Sequence, residues 1–252
     1  IYKISSRRRH IAQVNINLAF PELSSRERST LVKRHFESVG MALFEACLSW
    51  WAPTSRLESI ASIEGLENLE QAQQKGNGVI LMGSHFTTLE IMGRFLSFRA
   101  RFDVTYRQHE NPVIEKMFHG NRERHFDLAI IREDGRTMLK RLKSGKTIWF
   151  APDQNYGHKN SVFSPFFGVP AANTTAMSRF ASATNAALVP LFFERVADSG
   201  KYRLKLLPAL DNFPSGDVQA DTDRINQLME KYIRECPEQY FWIHRRYKDR
   251  PN

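Results

Sequence analysis

Apolar residues along the first 50 positions recur at helical spacing, and beyond residue 60 they gather into short continuous runs. In the N-terminal stretch Leu31, Phe36, Val39, Leu43, Phe44 and Cys47 repeat with a helical period. Phe20-Pro21-Glu22 interrupts the pattern, because proline cannot continue a helix, and Ser24 with Glu27 has the spacing of a capping box. Two helices are therefore predicted over the first 50 residues. The second ends at Trp50 and Trp51 ahead of Pro53, an aromatic pair suited to core packing or to anchoring at an interface.

The later runs read as strands: Ile60 to Ile63, Val79 to Met82, Phe102 to Tyr106, Leu128 to Ile131, Thr147 to Phe150, Ala187 to Phe193 and Tyr202 to Leu207. Helical patterns lie between them, and a terminal helix is predicted over Asp221 to Glu235. Strands alternating with helices predict an α/β fold with a mixed, mostly parallel β-sheet flanked by helices. One domain is expected over residues 1–252, with residues 1–52 as an N-terminal helical hairpin.

Composition changes this picture little. Hydrophobic residues at 42% and charged residues at 25% exclude a disordered or fibrous chain. The formal net charge of +9 favours anionic partners. Nucleic acid is set aside, since the basic residues do not interleave with aromatics and no nucleic-acid-binding signature is present. Cys47 and Cys236 sit in apolar helical patterns and are expected to be buried, reduced thiols. No apolar run reaches the roughly 18 residues that span a bilayer. Arg7, Arg8 and Arg9 near the first residue, Ile1, suit anionic headgroups, and a membrane anchor is expected to precede residue 1.

In α/β folds functional groups collect beyond the carboxyl ends of strands. After Val79 to Met82 comes Gly83-Ser84-His85, with Glu90 five residues further on. Five residues of helix separate side chains by about 140°, so His85 must lie at or before the helix start if its ring is to meet Glu90. A carboxylate on one ring nitrogen fixes the tautomer and leaves the other nitrogen free to take a proton from a hydroxyl. The competing reading is a structural histidine bonded to backbone. The chain has no Gly-x-Ser-x-Gly elbow, no Walker A motif and no Gly-x-Gly-x-x-Gly after a strand, which disfavours a serine nucleophile and the simplest nucleotide sites.

The His85-x4-Glu90 box, Tyr106-Arg107-Gln108-His109-Glu110-Asn111-Pro112, Ala151-Pro152-Asp153-Gln154-Asn155-Tyr156-Gly157 and Ser161-Val162-Phe163-Ser164-Pro165-Phe166-Phe167-Gly168 together resemble the late acyltransferases of lipid A biosynthesis. These lie within the glycerolipid acyltransferase superfamily, and Ala187-Leu188-Val189-Pro190 is similar to its fourth block. The resemblance implies a glycerolipid acyltransferase-like fold and transfer of an acyl chain from acyl carrier protein to a hydroxyl of an anionic, Kdo-bearing lipid A precursor. It implies no metal and no bound cofactor. The expected setting is the cytoplasmic face of the inner membrane, with the membrane surface as a partner.

On that reading His85 is the general base and Glu90 its orienting carboxylate. Arg107, Arg122 and Arg132 are candidates for the acceptor's phosphates and carboxylates, since a guanidinium binds such groups in bidentate fashion. Asn111 and Gln154 are further substrate-binding candidates, and Asp153 is expected to bind sugar hydroxyls or to hold Arg107 or Arg132. Phe163, Phe166 and Phe167 are read as an apolar loop lining an acyl groove or dipping into the interface, with core packing for at least one. Lys140, Arg141, Lys143 and Lys146, and the run His244 to Arg250, are candidate basic patches. A glycerol-phosphate or lysophospholipid acyltransferase shares the catalytic box but would carry a Phe-Pro-Glu-Gly-like third block in place of Ala151-Pro152-Asp153-Gln154. A basic peripheral lipid-binding module, with His85 and Glu90 structural, is the alternative that is not an enzyme.

Overall fold

A computed structural model describes residues 2–157 and 161–251. The chain begins with α1 (Ser6–Ala19) and α2 (Ser25–Trp51), separated where Pro21 breaks the helix. Ser24 caps α2 as its spacing predicts: its hydroxyl accepts from the Glu27 amide, and the Glu27 carboxylate accepts from the Ser24 amide at 2.8 Å. Then follow α3 (Thr54–Glu58), β1 (Ala61–Glu64), α4 (Leu66–Gln74), β2 (Val79–Met82), α5 (Leu89–Ser97), β3 (Asp103–Tyr106) and α6 (Pro112–His125). The remainder is β4 (Ala129–Ile131), α7 (Gly135–Lys143), β5 (Thr147–Phe150), β6 (Ser161–Phe166), β7 (Val169–Thr174), α8 (Ala176–Thr184), β8 (Ala187–Arg195), β9 (Tyr202–Leu206) and α9 (Val218–Glu235).

Seven strands form one sheet in the order β1-β9-β8-β2-β5-β3-β4. Every neighbouring pair is parallel except β8 and β9, which run antiparallel. The central strands Val-Ile-Leu-Met and Thr-Ile-Trp-Phe are buried at every position, as expected for parallel strands covered on both faces by helices. β9, Tyr-Arg-Leu-Lys-Leu, instead alternates buried and partly exposed residues. Because β2, β3, β5 and β8 run the same way, their carboxyl ends open on one edge of the sheet.

The segment Ser161 to Gly168, read from sequence as an apolar loop, is the first strand and turn of a separate hairpin, β6 paired antiparallel with β7. Its two-residue turn, Phe167-Gly168, has positive φ at both positions (53° and 72°), the geometry that the twist of a hairpin requires. Phe166 and Phe167 point into the core against each other and against Tyr240 and Trp242 respectively.

α2 is fastened to the sheet by polar contacts. Glu45, buried, accepts from Arg195 Nε at 2.7 Å and Nη2 at 2.9 Å and from the Tyr202 hydroxyl at 2.8 Å. Arg195 also donates to Ser38 at 3.1 Å, and Ser38 shares a 2.6 Å hydrogen bond with Thr87. With every partner in place, a buried ion pair of this kind can be held without an orphaned charge. Cys47, expected inside, is exposed on the outer face of α2, while Cys236 is buried as expected. Among the described residues no helix is long and apolar enough to cross a membrane.

Candidate active site

The site is built at the carboxyl ends of β2 and β5. Met82 lies opposite Phe150 in the parallel register, and the Gly83 amide extends the pairing by donating to the Phe150 carbonyl at 3.0 Å. Gly83 has no substitute here, because a Cβ would sit 2.3 Å from the Trp149 indole nitrogen. That close approach lets the chain turn tightly under Trp149, whose ring meets the His85 ring edge-on at 6.1 Å. Three residues beyond the register pair on each strand stand His85 and Asp153, side by side. His85 Nδ1 is 2.6 Å from Asp153 Oδ1, and the His85 amide donates to Asp153 Oδ2 at 2.8 Å.

This contact corrects the expected pairing. The residues between His85 and α5 form a turn, so His85 lies ahead of the helix, and its ring turns toward Asp153 rather than back over the first helical turn to Glu90. Asp153 holds neither Arg107 nor Arg132. It is 1% exposed. Burial by itself would raise its pKa, but the His85 charge, the two His85 hydrogen bonds and the charge of Arg246 more than reverse that and hold it below the usual carboxylate value. An ionised carboxylate only accepts, so Nδ1 donates in either state of the ring, and in the neutral ring Nε2 is left with the lone pair.

The C-terminal segment braces the turn from behind. Phe241 donates its amide to the His85 carbonyl at 2.9 Å, Thr87 donates to the Gln239 carbonyl at 2.7 Å, and Gln239 clips the Arg195 backbone on both its N–H and C=O. His244 Nε2 accepts from the Asn155 amide at 2.9 Å. Burial brings the His244 pKa down to about 4, so it is uncharged at neutral pH, as an accepting nitrogen must be. The run His244 to Arg250 is therefore not the continuous solvated patch expected. Arg246 is buried, donating to the Ala172 carbonyl at 2.8 Å and to Asn173, with its guanidinium over the Phe166 ring.

His85 opens on a cavity of about 350 Å³ whose apolar wall includes Leu89, Gly93, Leu96, Phe102, Phe126, Trp149 and Phe193. Glu90, Arg107, Arg122 and Gln154 stand on the same wall. Glu90, in the first turn of α5, binds Arg122 Nη2 at 2.5 Å, and the guanidinium lies near the Tyr106 and Phe118 rings. Arg107 is mostly exposed, 3.9 Å from Glu110.

The other expected site residues go elsewhere. Asn111 caps α6, accepting from the Val113 and Ile114 amides. Arg132 pairs with Glu133 at 2.6 Å and does not border this cavity. Neither Phe163, Phe166 nor Phe167 lines it, so among the described residues the apolar wall comes from α5, α6, β3, β5 and β8, the segments next to them and Phe241. In the patch Lys140 to Lys146, Arg141 is committed to Asp103 through two 2.7 Å hydrogen bonds.

A buried carboxylate thus holds a histidine beside an apolar cavity at the carboxyl edge of a parallel sheet, an arrangement with one ring nitrogen left to accept a proton. The family described as bacterial lipid A biosynthesis acyltransferase matches residues 1–249, and the chain belongs to that family. It is 40% identical over 249 residues to the lipid A biosynthesis palmitoleoyltransferase of Escherichia coli K12, covering 97% of this chain and 80% of that one. To the lauroyltransferase of the same organism it is 37% identical over 250 residues, 99% of this chain and 82% of the relative. To its myristoyltransferase the figures are 27% over 242 residues, 95% and 74%.

Proposed function

We propose that the protein moves a fatty acyl chain from acyl carrier protein to a hydroxyl of a Kdo-bearing lipid A precursor, at the cytoplasmic face of the inner membrane. The observation that carries the mechanism is the 2.6 Å His85–Asp153 contact beside the apolar cavity. His85 Nε2 takes the proton of the acceptor hydroxyl as its oxygen attacks the thioester carbonyl. The tetrahedral intermediate then expels the carrier thiolate, which recovers the proton from the imidazolium. An ester forms, a thioester breaks, and the histidine ends as it began. Asp153 keeps Nε2 the accepting nitrogen and stabilises the imidazolium between the two steps.

Glu90 acts through Arg122. Their ion pair holds a guanidinium on the cavity wall, where it meets the anionic acceptor. Arg107 and Gln154 line the same wall and complete a polar rim around the acyl-binding interior.

The test is to supply acyl carrier protein thioester with a Kdo-lipid A precursor or with lysophosphatidate and follow the acylated product. Product on the lipid A precursor alone is expected. Product on lysophosphatidate alone would move the assignment to a phospholipid acyltransferase, and product on neither, with acceptor binding intact, to a lipid-binding module.

A further inference from the structure

The second half of α2 is amphipathic in the wrong sense for water. From Ser38 to Trp51 its only charged residue is Glu45, and Glu45 points inward to Arg195. The buried positions are polar: Ser38, Glu45 and Ser49. The outward positions are apolar: Leu43 is 61% exposed, Phe44 74% and Trp51 62%, with Met41 and Cys47 beside them. A helix facing water carries its charges outward. Here the outer face is oily and the inner one polar.

A second element extends this face. Trp50 packs edge-on against Phe118 of α6 at 4.7 Å, and the first turns of α6 expose Val113, Ile114 and Met117. Phe118 also lines the cavity beside His85, so the apolar surface adjoins the cavity wall. A contiguous exposed patch of this kind marks an interaction surface.

Charge decides what it meets. Of the acids near the patch, Glu45 is occupied by Arg195, Glu115 by the Tyr106 hydroxyl and the His109 amide, Glu58 by Arg99 and Glu110 by Arg107, which leaves Glu37 exposed one turn before Met41. Arg56 beyond Trp51 and Lys116 beside Met117 are exposed, and among the described residues neither has an acid within ion-pair distance. An uncharged aromatic and aliphatic centre with cations at its margin matches hydrocarbon under anionic headgroups. It suits an acidic carrier protein poorly, since that partner would need cations at the centre.

We propose that the outer face of the second half of α2, with the first turns of α6, is the surface by which the protein seats on a lipid bilayer. The face lies in the interface rather than crossing it, since 14 residues of helix reach about 21 Å, short of the hydrocarbon thickness. Seated this way, the cavity wall lies beside lipid. The inference extends the acyltransferase reading, but its measurement needs neither donor nor acceptor, so either can fail alone.

The protein is mixed with vesicles of phosphatidylethanolamine and phosphatidylglycerol, with and without brominated acyl chains. Trp242 is buried and Trp149 lines the cavity, so the part of the bromine quenching that is lost in W50F/W51F reports Trp51 and its neighbour Trp50. Quenching is expected, and L43N/F44N, which removes two exposed side chains without touching the core, is expected to weaken vesicle binding about 100-fold at unchanged Tm. Absence of quenching, or a double variant that binds like the parent, would overturn the proposal. So would a double variant that keeps vesicle binding while losing a dimer in sedimentation or losing its hold on acyl carrier protein, since the face would then belong to a second copy or to that carrier.

Discussion

The two edges of the sheet each bury a carboxylate against a nitrogen donor, and they use it differently. At the amino end of β3, Asp103 is fully buried and Arg141 grips it with two hydrogen bonds of 2.7 Å. At the carboxyl end of β5, Asp153 is equally buried and holds His85 at 2.6 Å. Arg141 is always charged, and its pair with Asp103 raises its pKa further, so that contact has one state. His85 has a second ring nitrogen besides the one that meets Asp153, and its ring borders a cavity. The same buried carboxylate is a fastener in one place and, on the proposed mechanism, part of a proton-handling device in the other, and the difference lies in the partner and in what the partner faces.

The largest expected effect comes from Asp153→Asn. The amide keeps an acceptor for the His85 backbone but no longer enforces the tautomer, so kcat should fall about 10³- to 10⁴-fold in a thioester assay. Glu90→Gln should lower kcat/KM about 10- to 100-fold, because the charged bond to Arg122 is lost. The loss should appear mainly in KM for the anionic acceptor, and Glu90→Asp should restore part of it. A pure kcat loss would make Glu90 a partner in the chemistry. Arg141→Met should leave activity per folded molecule unchanged while costing about 3 kcal/mol, roughly 6–12 °C in Tm, because Asp103 stays buried without its cation. Loss of activity at full stability in that variant would erase the distinction between the edges.

The parallel core was legible because buried strands such as Val79 to Met82 and Thr147 to Phe150 are continuous apolar runs between turns. The capping box of α2 was equally plain, being a local device. The hairpin of β6 and β7 was not, because Pro165 and Pro170 interrupt what would otherwise read as strands, although the Phe167-Gly168 turn was a usable signal.

His85 could be found from its place after a strand, and its partner could not. Glu90 is five residues away and Asp153 is 68, and only the pairing of Met82 with Phe150 brings the distant one alongside. Both His85 and Asp153 were visible as residues following strands; which strands neighbour each other was not. The inward turn of Glu45 was hidden for the same reason, since its partner Arg195 lies 150 residues on.

The central claim is that Asp153, and not Glu90, sets the protonation of His85, and nitrogen NMR of isotopically labelled histidine reads this directly. In the parent protein near neutral pH, the neutral His85 ring is expected to carry its proton on Nδ1, with Nε2 bare. Asp153→Asn should redistribute that proton between the two nitrogens, and Glu90→Gln should leave it in place. A spectrum that changes in Glu90→Gln and stays the same in Asp153→Asn would contradict the account.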